Sequence, residues 1–172
     1  MKITKVISGG QTGVDRAGLD AALAASFPVG GLCPKGRLAE DGRIPDCYPL
    51  VETETAESAE RTRWNVRDGA ATLILTWGEP TGGTALTLET CQCEGKPCLL
   101  VDLNDRESTS AAGVRALADH LAHKIDGPLN VAGPRESERA GTYDVARKFL
   151  DAVFACVLAC GPKRSPSGGS DL

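Results

Sequence analysis

Three glycine-rich stretches carry the residues of this chain best suited to chemistry. They span residues 8–16, 81–84 and 133–137 and read Ser-Gly-Gly-Gln-Thr-Gly-Val-Asp-Arg, Thr-Gly-Gly-Thr and Gly-Pro-Arg-Glu-Ser. A glycine turn between a strand and a helix leaves backbone N–H groups unpaired and directs the positive end of the helix dipole at a bound anion. The sequence therefore predicts one site for a phosphate-bearing ligand, surrounded by the three turns.

The candidate ligand-binding residues lie in these turns or at polar positions beside them. They are Ser8, Gly9, Gly10, Gln11, Thr12, Gly13, Asp15, Arg16, Lys35, Arg37, Arg61, Asn65, Gly82, Gly83, Thr84, Thr87, Gly133, Pro134, Arg135, Glu136 and Ser137. We expect backbone N–H groups of residues 9–13, 82–84 and 133–135 to hold the phosphate. Structural alternatives remain open for several of these side chains, because Asp15 and Thr84 also suit helix caps. Arg61 and Asn65 share a helix face, which points either into the cleft or into water.

Other common sites find little support in the sequence. The first turn is neither the G-x-G-x-x-G dinucleotide fingerprint nor a Walker loop, and no Ser-His-Asp set or Cys-His pair emerges. Cys91 and Cys93 lie two apart on a predicted helix and do not face each other, so we interpret them as packing residues and predict no metal site. We interpret Trp64 and Trp77 as packing residues too. The pattern favours a binding protein over an enzyme with a nucleophile.

Composition limits the class of protein and its partners. The chain has 172 residues, of which 41% are hydrophobic, and a net charge of −4, which gives no support to a nucleic-acid partner. Its longest apolar run, residues 152–160, is shorter than the roughly 18 residues that span a bilayer. Seven cysteines without disulfide spacing, and no signal peptide, predict a cytoplasmic protein. The apolar run favours a homo-oligomer, a dimer or a tetramer.

The turns lie within an alternation of strands and helices. Apolar runs predict five strands, at 3–8, 29–32, 71–75, 98–101 and 129–132; helical patterns cover 15–25, 57–68, 85–93, 111–124 and 143–160. This alternation predicts a three-layer, Rossmann-like α/β domain over residues 1–160 with a mainly parallel sheet. In such folds ligands bind beyond the carboxyl ends of the strands, where all three turns fall. The long segment 33–45 is expected to close the mouth of the site, and the tail 161–172 to be disordered.

Five motifs, in order along the chain, resemble the molybdenum cofactor carrier family. They are Ser-Gly-Gly-Gln-Thr-Gly-Val-Asp-Arg-Ala at 8–17, Cys-Pro-Lys-Gly-Arg-x-Ala-Glu-Asp-Gly-x-Ile-Pro at 33–45, Arg-Thr-x-x-Asn-Val at 61–66, Thr-Gly-Gly-Thr-x-Leu-Thr at 81–87 and Leu-Asn-Val-Ala-Gly-Pro-Arg-Glu-Ser at 129–137. This family is the circularly permuted branch of the SLOG superfamily, which includes the DNA-processing protein DprA and cytokinin-activating phosphoribohydrolases. The resemblance implies a pocket for a phosphorylated, nucleotide-like ligand. In carrier relatives that ligand is molybdenum cofactor, a pterin with a phosphate and a dithiolene-held metal.

The permutation also implies a strand order. If the carboxyl-terminal strand replaces the first strand of the superfamily, the order becomes 2-1-5-3-4 and the three glycine turns become neighbours. The phosphoribohydrolases carry Pro-Gly-Gly-x-Gly-Thr-x-x-Glu where this chain has Thr81-Gly82-Gly83-Thr84, with Glu89 only near the place of the glutamate. Three hypotheses follow: a carrier or storage protein for molybdenum cofactor or a similar phosphorylated pterin or nucleotide, a nucleoside-monophosphate hydrolase that uses Glu89 or Glu136, and a nucleotide sensor.

Overall fold

The computed structural model describes residues 2–160, in which short strands alternate with helices. The elements are β1 (Ile3–Ile7), α1 (Val14–Ala24), β2 (Val29–Gly30), β3 (Leu32–Cys33), β4 (Leu38–Ala39), β5 (Gly42–Arg43), β6 (Val51–Glu52), α2 (Ser58–Asp68), β7 (Ala71–Thr76), α3 (Gly82–Cys93), β8 (Cys98–Asp102), α4 (Arg106–Thr109), α5 (Ala111–Lys124), β9 (Gly127–Ala132) and α6 (Thr142–Cys160). The predicted tail 161–172 lies outside the described residues.

Five strands form one parallel sheet in the order β2-β1-β9-β7-β8. This order confirms the predicted 2-1-5-3-4, because β9 is the fifth predicted strand and lies at the centre. Val6 of β1 pairs with Leu129 of β9, and Leu73 of β7 pairs with Val131 on the other side. The three strands that precede the glycine turns are therefore neighbours, and their carboxyl ends meet at one edge.

Helices cover both faces of the sheet. Alternate residues of a strand point to opposite faces, and β9 shows this directly: Val131 lies against Gly18 of α1, while Asn130 lies against Gly69 at the end of α2. Helices α1, α6 and α5 pack side by side in one layer, and α2 packs on α3 in the other. Every residue of β7 is buried, as its continuous apolar run predicts for a strand covered on both faces.

The predicted second strand is shorter than expected, because the chain leaves the sheet at Gly31. Its φ is +121°, and a Cβ there would lie 2.3 Å from the Ser8 carbonyl oxygen, so only glycine permits this bend. Residues 29–30 pair with β1, whereas residues 32–33 pair with β6 in a separate two-stranded sheet. The bend turns the segment 33–45 back over the glycine turns.

Two smaller differences concern the loops. The segment 33–45 contains a short antiparallel hairpin, in which Leu38 pairs with Arg43. Helix α3 begins at Gly82 rather than at the predicted residue 85, so the second glycine turn is itself the first turn of a helix. Within residues 2–160, no helix combines the length and the apolar character needed to cross a bilayer.

Candidate functional site

The first and third glycine turns are in direct contact. Gly13 has φ +74°, its Cβ would lie 2.4 Å from the Pro134 carbonyl oxygen, and the next residue, Val14, donates its N–H to that same oxygen at 3.2 Å. Gly133 is equally confined, because a Cβ there would lie 2.6 Å from the Leu75 carbonyl oxygen at the end of β7. These close approaches explain why both positions are glycine, and they hold the two turns as one wall.

The second glycine turn supplies a helix N-terminus. The N–H groups of Thr84 and Ala85 both bond to the Thr81 carbonyl oxygen, and the Thr81 side chain makes no capping hydrogen bond. In the part of the chain that the structure describes, the N–H groups of Gly82 and Gly83 have no hydrogen-bond acceptor. They are oriented as the first donors of α3 and are therefore available to an anion.

The three turns and α2 line a narrow cleft with a cavity volume of about 50 Å³. Eight of the predicted residues are brought together in its lining: Gln11, Asp15, Arg61, Gly83, Thr84, Thr87, Gly133 and Arg135. The rest of the lining comes from residues that the sequence did not single out: Ser58, Ala59, Thr62, Leu86, Ala132 and Glu138. On α2, Ser58 lies three residues before Arg61 and four before Thr62, so helical spacing from Ser58 places all three on one face and was a signal that could have found them.

A buried ion pair occupies the floor of the cleft. Arg61 Nη1 lies 3.3 Å from Asp15 Oδ2, and the side chains are 13% and 4% exposed. The guanidinium also rests on Gly9, where a Cβ would lie 2.1 Å from Nη1. Burial raises the pKa of Asp15, whereas the positive charge of Arg61 and a hydrogen bond from the Gln11 N–H oppose that rise. The helix-face question for Arg61 is thereby answered, because it points into the cleft.

Two buried polar atoms in this cleft have no partner. Among the described residues, Arg61 Nε and Thr84 Oγ1 are the buried side-chain nitrogen and oxygen atoms without a hydrogen bond. Leaving a buried donor unsatisfied costs about 1–3 kcal/mol, so native proteins rarely keep one without a reason. Both residues line the same cavity. The cleft therefore has unused hydrogen-bonding capacity of the kind that a polar ligand would satisfy.

Several of the expected backbone donors already have acceptors. The N–H of Gln11 donates to Asp15 at 3.3 Å, that of Thr12 to the Gln11 side chain at 3.0 Å, and that of Arg135 to Glu138 at 2.9 Å. The first and third turns are thus organised largely by their own hydrogen bonds. Donors of the cleft lining that carry no such bond include the Arg135 guanidinium, Arg61 Nε, Thr84 Oγ1 and the N–H groups at the start of α3.

Arg37 is not brought into the cleft. It is buried, and its guanidinium donates to four carbonyl oxygens of its own loop: Ile44 at 3.2 Å, Leu50 at 3.0 Å, and Pro45 and Tyr48 at 2.9 Å each. These bonds use four of the five guanidinium N–H groups, so Arg37 organises the segment 33–50. Lys35 is exposed, and its backbone N–H bonds to Thr55. Neither residue lines the cleft.

The side chains of Ser8 and Asn65 bond to the backbone of strands, and the Ser8 hydroxyl also lies within hydrogen-bonding reach of Asp15 in the cleft lining. Ser8 Oγ donates to the Val131 carbonyl oxygen at 2.7 Å, which joins β1 to β9. Asn65 forms a two-way pair with Leu32, in which its Oδ1 accepts from the backbone N–H at 2.8 Å and its Nδ2 donates to the carbonyl oxygen at 2.9 Å. Since Leu32 begins the short strand after the bend, Asn65 holds that strand against α2.

Glu40, which the sequence did not single out, fastens the long loop to two glycine turns. Its carboxylate accepts hydrogen bonds from the hydroxyl groups of Thr12 and Ser137 and, at 3.1 Å, from the Ser137 N–H. Its own N–H donates to Gln11 Oε1 at 2.9 Å. The segment 33–45 is thus attached to the first and third glycine turns, and none of its residues is in the cleft lining. We call Glu40, Thr12 and Ser137 the loop clasp.

Two further predicted residues act as supports. Arg16 forms a bidentate pair with Asp41, at 2.6 and 2.8 Å, and also donates to the Gly10 carbonyl oxygen. The Glu136 carboxylate accepts from the N–H groups of Gly141 and Tyr143, the latter at 2.8 Å, and so caps the start of α6. Glu89 is exposed on α3. Neither glutamate of the hydrolase hypothesis lies in the cleft lining.

The fold defines a Rossmann-like α/β protein, with a polar cleft at the carboxyl edge of its parallel sheet. The chain belongs to the circularly permutated YpsA SLOG family, whose model matches residues 6–154. The central place of β9 beside β1 agrees with a permuted connection.

A solved structure shares this fold and much of the sequence. It is the 1.45 Å crystal structure of a protein named "Putative molybdenum carrier protein" from Syntrophus aciditrophicus SB, which is 41% identical and superposes with a TM-score of 0.78. The similarity covers 88% of this chain and 94% of that one. No curated protein gave a significant match. The resemblance to molybdenum cofactor carriers is thus confirmed at the level of the family.

Proposed function

We propose that this protein binds and carries a phosphorylated heterocyclic cofactor, namely molybdenum cofactor or a close pterin or nucleotide relative. The observation that carries the proposal is the pair of unpartnered buried atoms, Arg61 Nε and Thr84 Oγ1, in a cleft that also holds Arg135. Guanidinium groups bind phosphate through paired N–H donors, and a helix N-terminus adds a favourable dipole. The name of the similar solved structure supports the choice of cargo.

In the proposed complex, positive charge and the unpaired hydrogen-bond donors of the cleft would hold the phosphate. Arg61 and Arg135 would approach it from two walls, and the Gly83 N–H and Thr84 hydroxyl from the third. Asp15 keeps the Arg61 guanidinium in position, because the two groups are 3.3 Å apart on the floor of the cleft. In this arrangement the chain supplies binding and shielding of the cargo, and the metal chemistry belongs to the cargo itself.

Purification under anaerobic conditions tests this proposal. We expect mass spectrometry of the released small molecules to show a phosphorylated pterin, with molybdenum detectable by elemental analysis of the same sample. Arg135→Ala should lower the bound amount roughly tenfold, since a charged hydrogen bond is worth about 1.5 kcal/mol. Arg63→Ala is the matched control, because Arg63 is exposed on α2 and does not line the cleft. Protein that binds no phosphorylated compound when offered the cofactor would contradict the proposal.

We also propose that the chain works as a homo-oligomer in the cytoplasm. Helix α6 buries Val153, Phe154 and Val157 in the core while leaving Leu158 54% exposed, so it presents apolar surface on a second side. Light scattering coupled to size exclusion measures the mass of the particle. A single-chain mass at all concentrations would contradict the oligomer.

A further inference from the structure

A second hollow adjoins the cleft. It has a cavity volume of about 190 Å³, and its lining includes Trp77, Glu79, Thr84, Glu138 and Arg139. Thr84 and Glu138 line both cavities, so the hollow and the cleft share a wall. We call it the Trp77 trough. A ligand held by its phosphate in the cleft can therefore extend across Thr84 into this trough.

Trp77 already supports a planar, delocalised group. The guanidinium carbon of Arg139 lies 5.2 Å from the centre of the Trp77 ring, in the range of a cation–π contact. The indole packs against the hydrophobic core directly after β7, whereas Arg139 is exposed in the loop before α6. The Trp77 indole is therefore held by packing, whereas the exposed Arg139 side chain can move away from it. A flat ligand ring can take the place of the guanidinium at little cost, because an exposed cation–π contact is worth only about 0.5–1 kcal/mol.

The remaining walls of the trough carry hydrogen-bond acceptors. Glu79 is exposed and, among the described residues, makes no ion pair. Glu138 uses one carboxylate oxygen to accept the Arg135 N–H and lines the boundary with the cleft. Thr84 Oγ1, at the same boundary, is the unpartnered atom described above. Carboxylates bind groups that donate N–H bonds, so the trough suits a ring with an amino and an imino N–H on one edge.

From these contacts we infer that the Trp77 trough binds the planar, N–H-bearing heterocycle of the ligand, with Trp77 as the stacking surface and Glu79 as the acceptor for the ring edge. This inference rests on the proposed function, because the phosphate in the cleft fixes the end of the ligand from which the ring extends. Pterins and guanine share the amino–imino edge that the trough selects. Adenine and a bare sugar phosphate lack it.

Tryptophan fluorescence tests the stacking directly. The chain has two tryptophans, so Trp64→Phe leaves Trp77 as the sole indole and Trp77→Phe leaves Trp64. Trp64 is the matched control, since Arg67 covers it at 5.4 Å in the same manner and it lies in neither cavity. We expect GMP and neopterin monophosphate to quench the Trp64→Phe protein and to leave the Trp77→Phe protein unchanged. Titrating them separately shows whether the guanine or the pterin ring is preferred.

Calorimetry separates this inference from the proposed function. Ribose 5-phosphate reports on the cleft alone, whereas GMP reports on the cleft and the trough. Because stacking on an aromatic side chain is worth about 1–3 kcal/mol, GMP should bind roughly tenfold tighter than ribose 5-phosphate. Trp77→Ala should remove that advantage and leave ribose 5-phosphate binding unchanged. Glu79→Gln should weaken GMP and leave AMP unaffected.

The outcomes are distinct. If ribose 5-phosphate binds but neither GMP nor neopterin monophosphate quenches Trp77, the trough does not bind the ring and the inference is overturned, while the anion site stands. If ribose 5-phosphate fails to bind and Trp77 is still quenched, the trough is supported and the phosphate cradle is contradicted. Equal affinities of GMP for the native protein and for Trp77→Ala would also overturn the inference.

Discussion

The Arg61 guanidinium and the Asp15 carboxylate form a buried ion pair, with Nη1 and Oδ2 3.3 Å apart, at the floor of the candidate cleft. The pair leaves Arg61 Nε without a partner, so the guanidinium is held in place and is only partly satisfied. A group in this state can bind an incoming anion without first being ordered, which removes part of the entropic cost of binding. Changes to this pair should therefore affect both the stability of the fold and its affinity for an anion.

Changing the two members of this pair should affect anion binding in opposite directions. Arg61→Met removes a phosphate ligand and leaves Asp15 buried without its partner, so we expect weaker binding and a loss of about 3 kcal/mol in the free energy of unfolding. Asp15→Asn removes the negative charge from the floor of the cleft, while its amide oxygen can still accept a hydrogen bond from Arg61 and hold it in position, so we expect affinity for ribose 5-phosphate to rise by roughly tenfold. Calorimetry and urea unfolding of both variants measure the two effects. Weaker binding by both would show that Asp15 acts only to position Arg61.

The raised pKa of Asp15 predicts how stability depends on pH. Burial raises the pKa above its ordinary value, although Arg61 opposes the rise, so the folded protein holds this proton to a higher pH than the unfolded chain does. The contribution of Asp15 to the free energy of unfolding is therefore complete below about pH 4 and is lost as pH rises through the raised pKa. Asp15→Asn abolishes this loss. In urea unfolding between pH 4 and 7, the free energy of unfolding of Asp15→Asn should increase relative to that of the native protein as pH rises. A difference that stays constant with pH would contradict the raised pKa of Asp15.

Sequence patterns predict this architecture well because they report on local structure. The apolar runs located all five strands of the main sheet, and the glycines marked the turns that follow β1, β7 and β9. The bend at Gly31 was not predicted, because it depends on the approach of the Ser8 carbonyl oxygen from another strand. Periodicity along the chain contains no information on such a contact.

The same limit applies to the arginines of the candidate site. Arg37 and Arg135 both lie in glycine-rich loops, and the sequence alone gives them the same predicted role. Arg37 is distinguished by carbonyl oxygens of residues 44–50, which a loop folded back on itself brings around the guanidinium. Glu40 was overlooked for the converse reason, since its partners Thr12 and Ser137 are distant along the chain. Long-range hydrogen bonds decide these roles.

Arg37 should be a stability residue, and Lys35 should not. Arg37→Ala leaves several loop carbonyl oxygens without their donor, so we expect a loss of about 3 kcal/mol in the free energy of unfolding. Arg37→Lys should recover little of it, because an ammonium cannot reproduce the planar fork of donors. Lys35→Ala, two residues away and exposed, is the matched control and should change the free energy by less than about 0.5 kcal/mol. Equal effects at both positions in urea unfolding would contradict the structural role of Arg37.

The loop clasp should control the opening of the segment 33–45. Glu40→Ala removes the acceptor for the Thr12 and Ser137 hydroxyl groups, so we expect amide hydrogen exchange in this segment to accelerate roughly tenfold. Glu54→Ala is the control, since Glu54 is also exposed and does not line the cleft. Unchanged exchange in Glu40→Ala would show that the clasp does not hold the loop.

The clasp should also weaken in acid. Desolvation raises the pKa of Glu40, but the hydrogen bonds from Ser137 and Thr12 outweigh it and lower the pKa below its ordinary value. The stabilisation is therefore complete above the ordinary carboxyl range and is lost as pH falls through the lowered pKa, opposite in sign to Asp15. Exchange in the segment 33–45, corrected for the intrinsic rate, should accelerate in the native protein and stay constant in Glu40→Ala over that range.

Gly13 and Gly83 should respond differently to the same added methyl group. Gly13 has φ +74° and its Cβ would meet the Pro134 carbonyl oxygen at 2.4 Å, so Gly13→Ala must separate the first and third glycine turns. We expect a loss of about 2 kcal/mol or more in the free energy of unfolding, together with weaker binding of ribose 5-phosphate. Gly83 has no atom within 4 Å of an added Cβ and lies in the first turn of α3, so Gly83→Ala should raise stability by about 0.5 kcal/mol. Urea unfolding measures the stability of the two variants, and calorimetry measures their affinity for ribose 5-phosphate. If the first and third turns form one wall, Gly13→Ala loses both stability and affinity. If the turns move independently, Gly13→Ala loses only the free energy of its local backbone strain, and its affinity is unchanged.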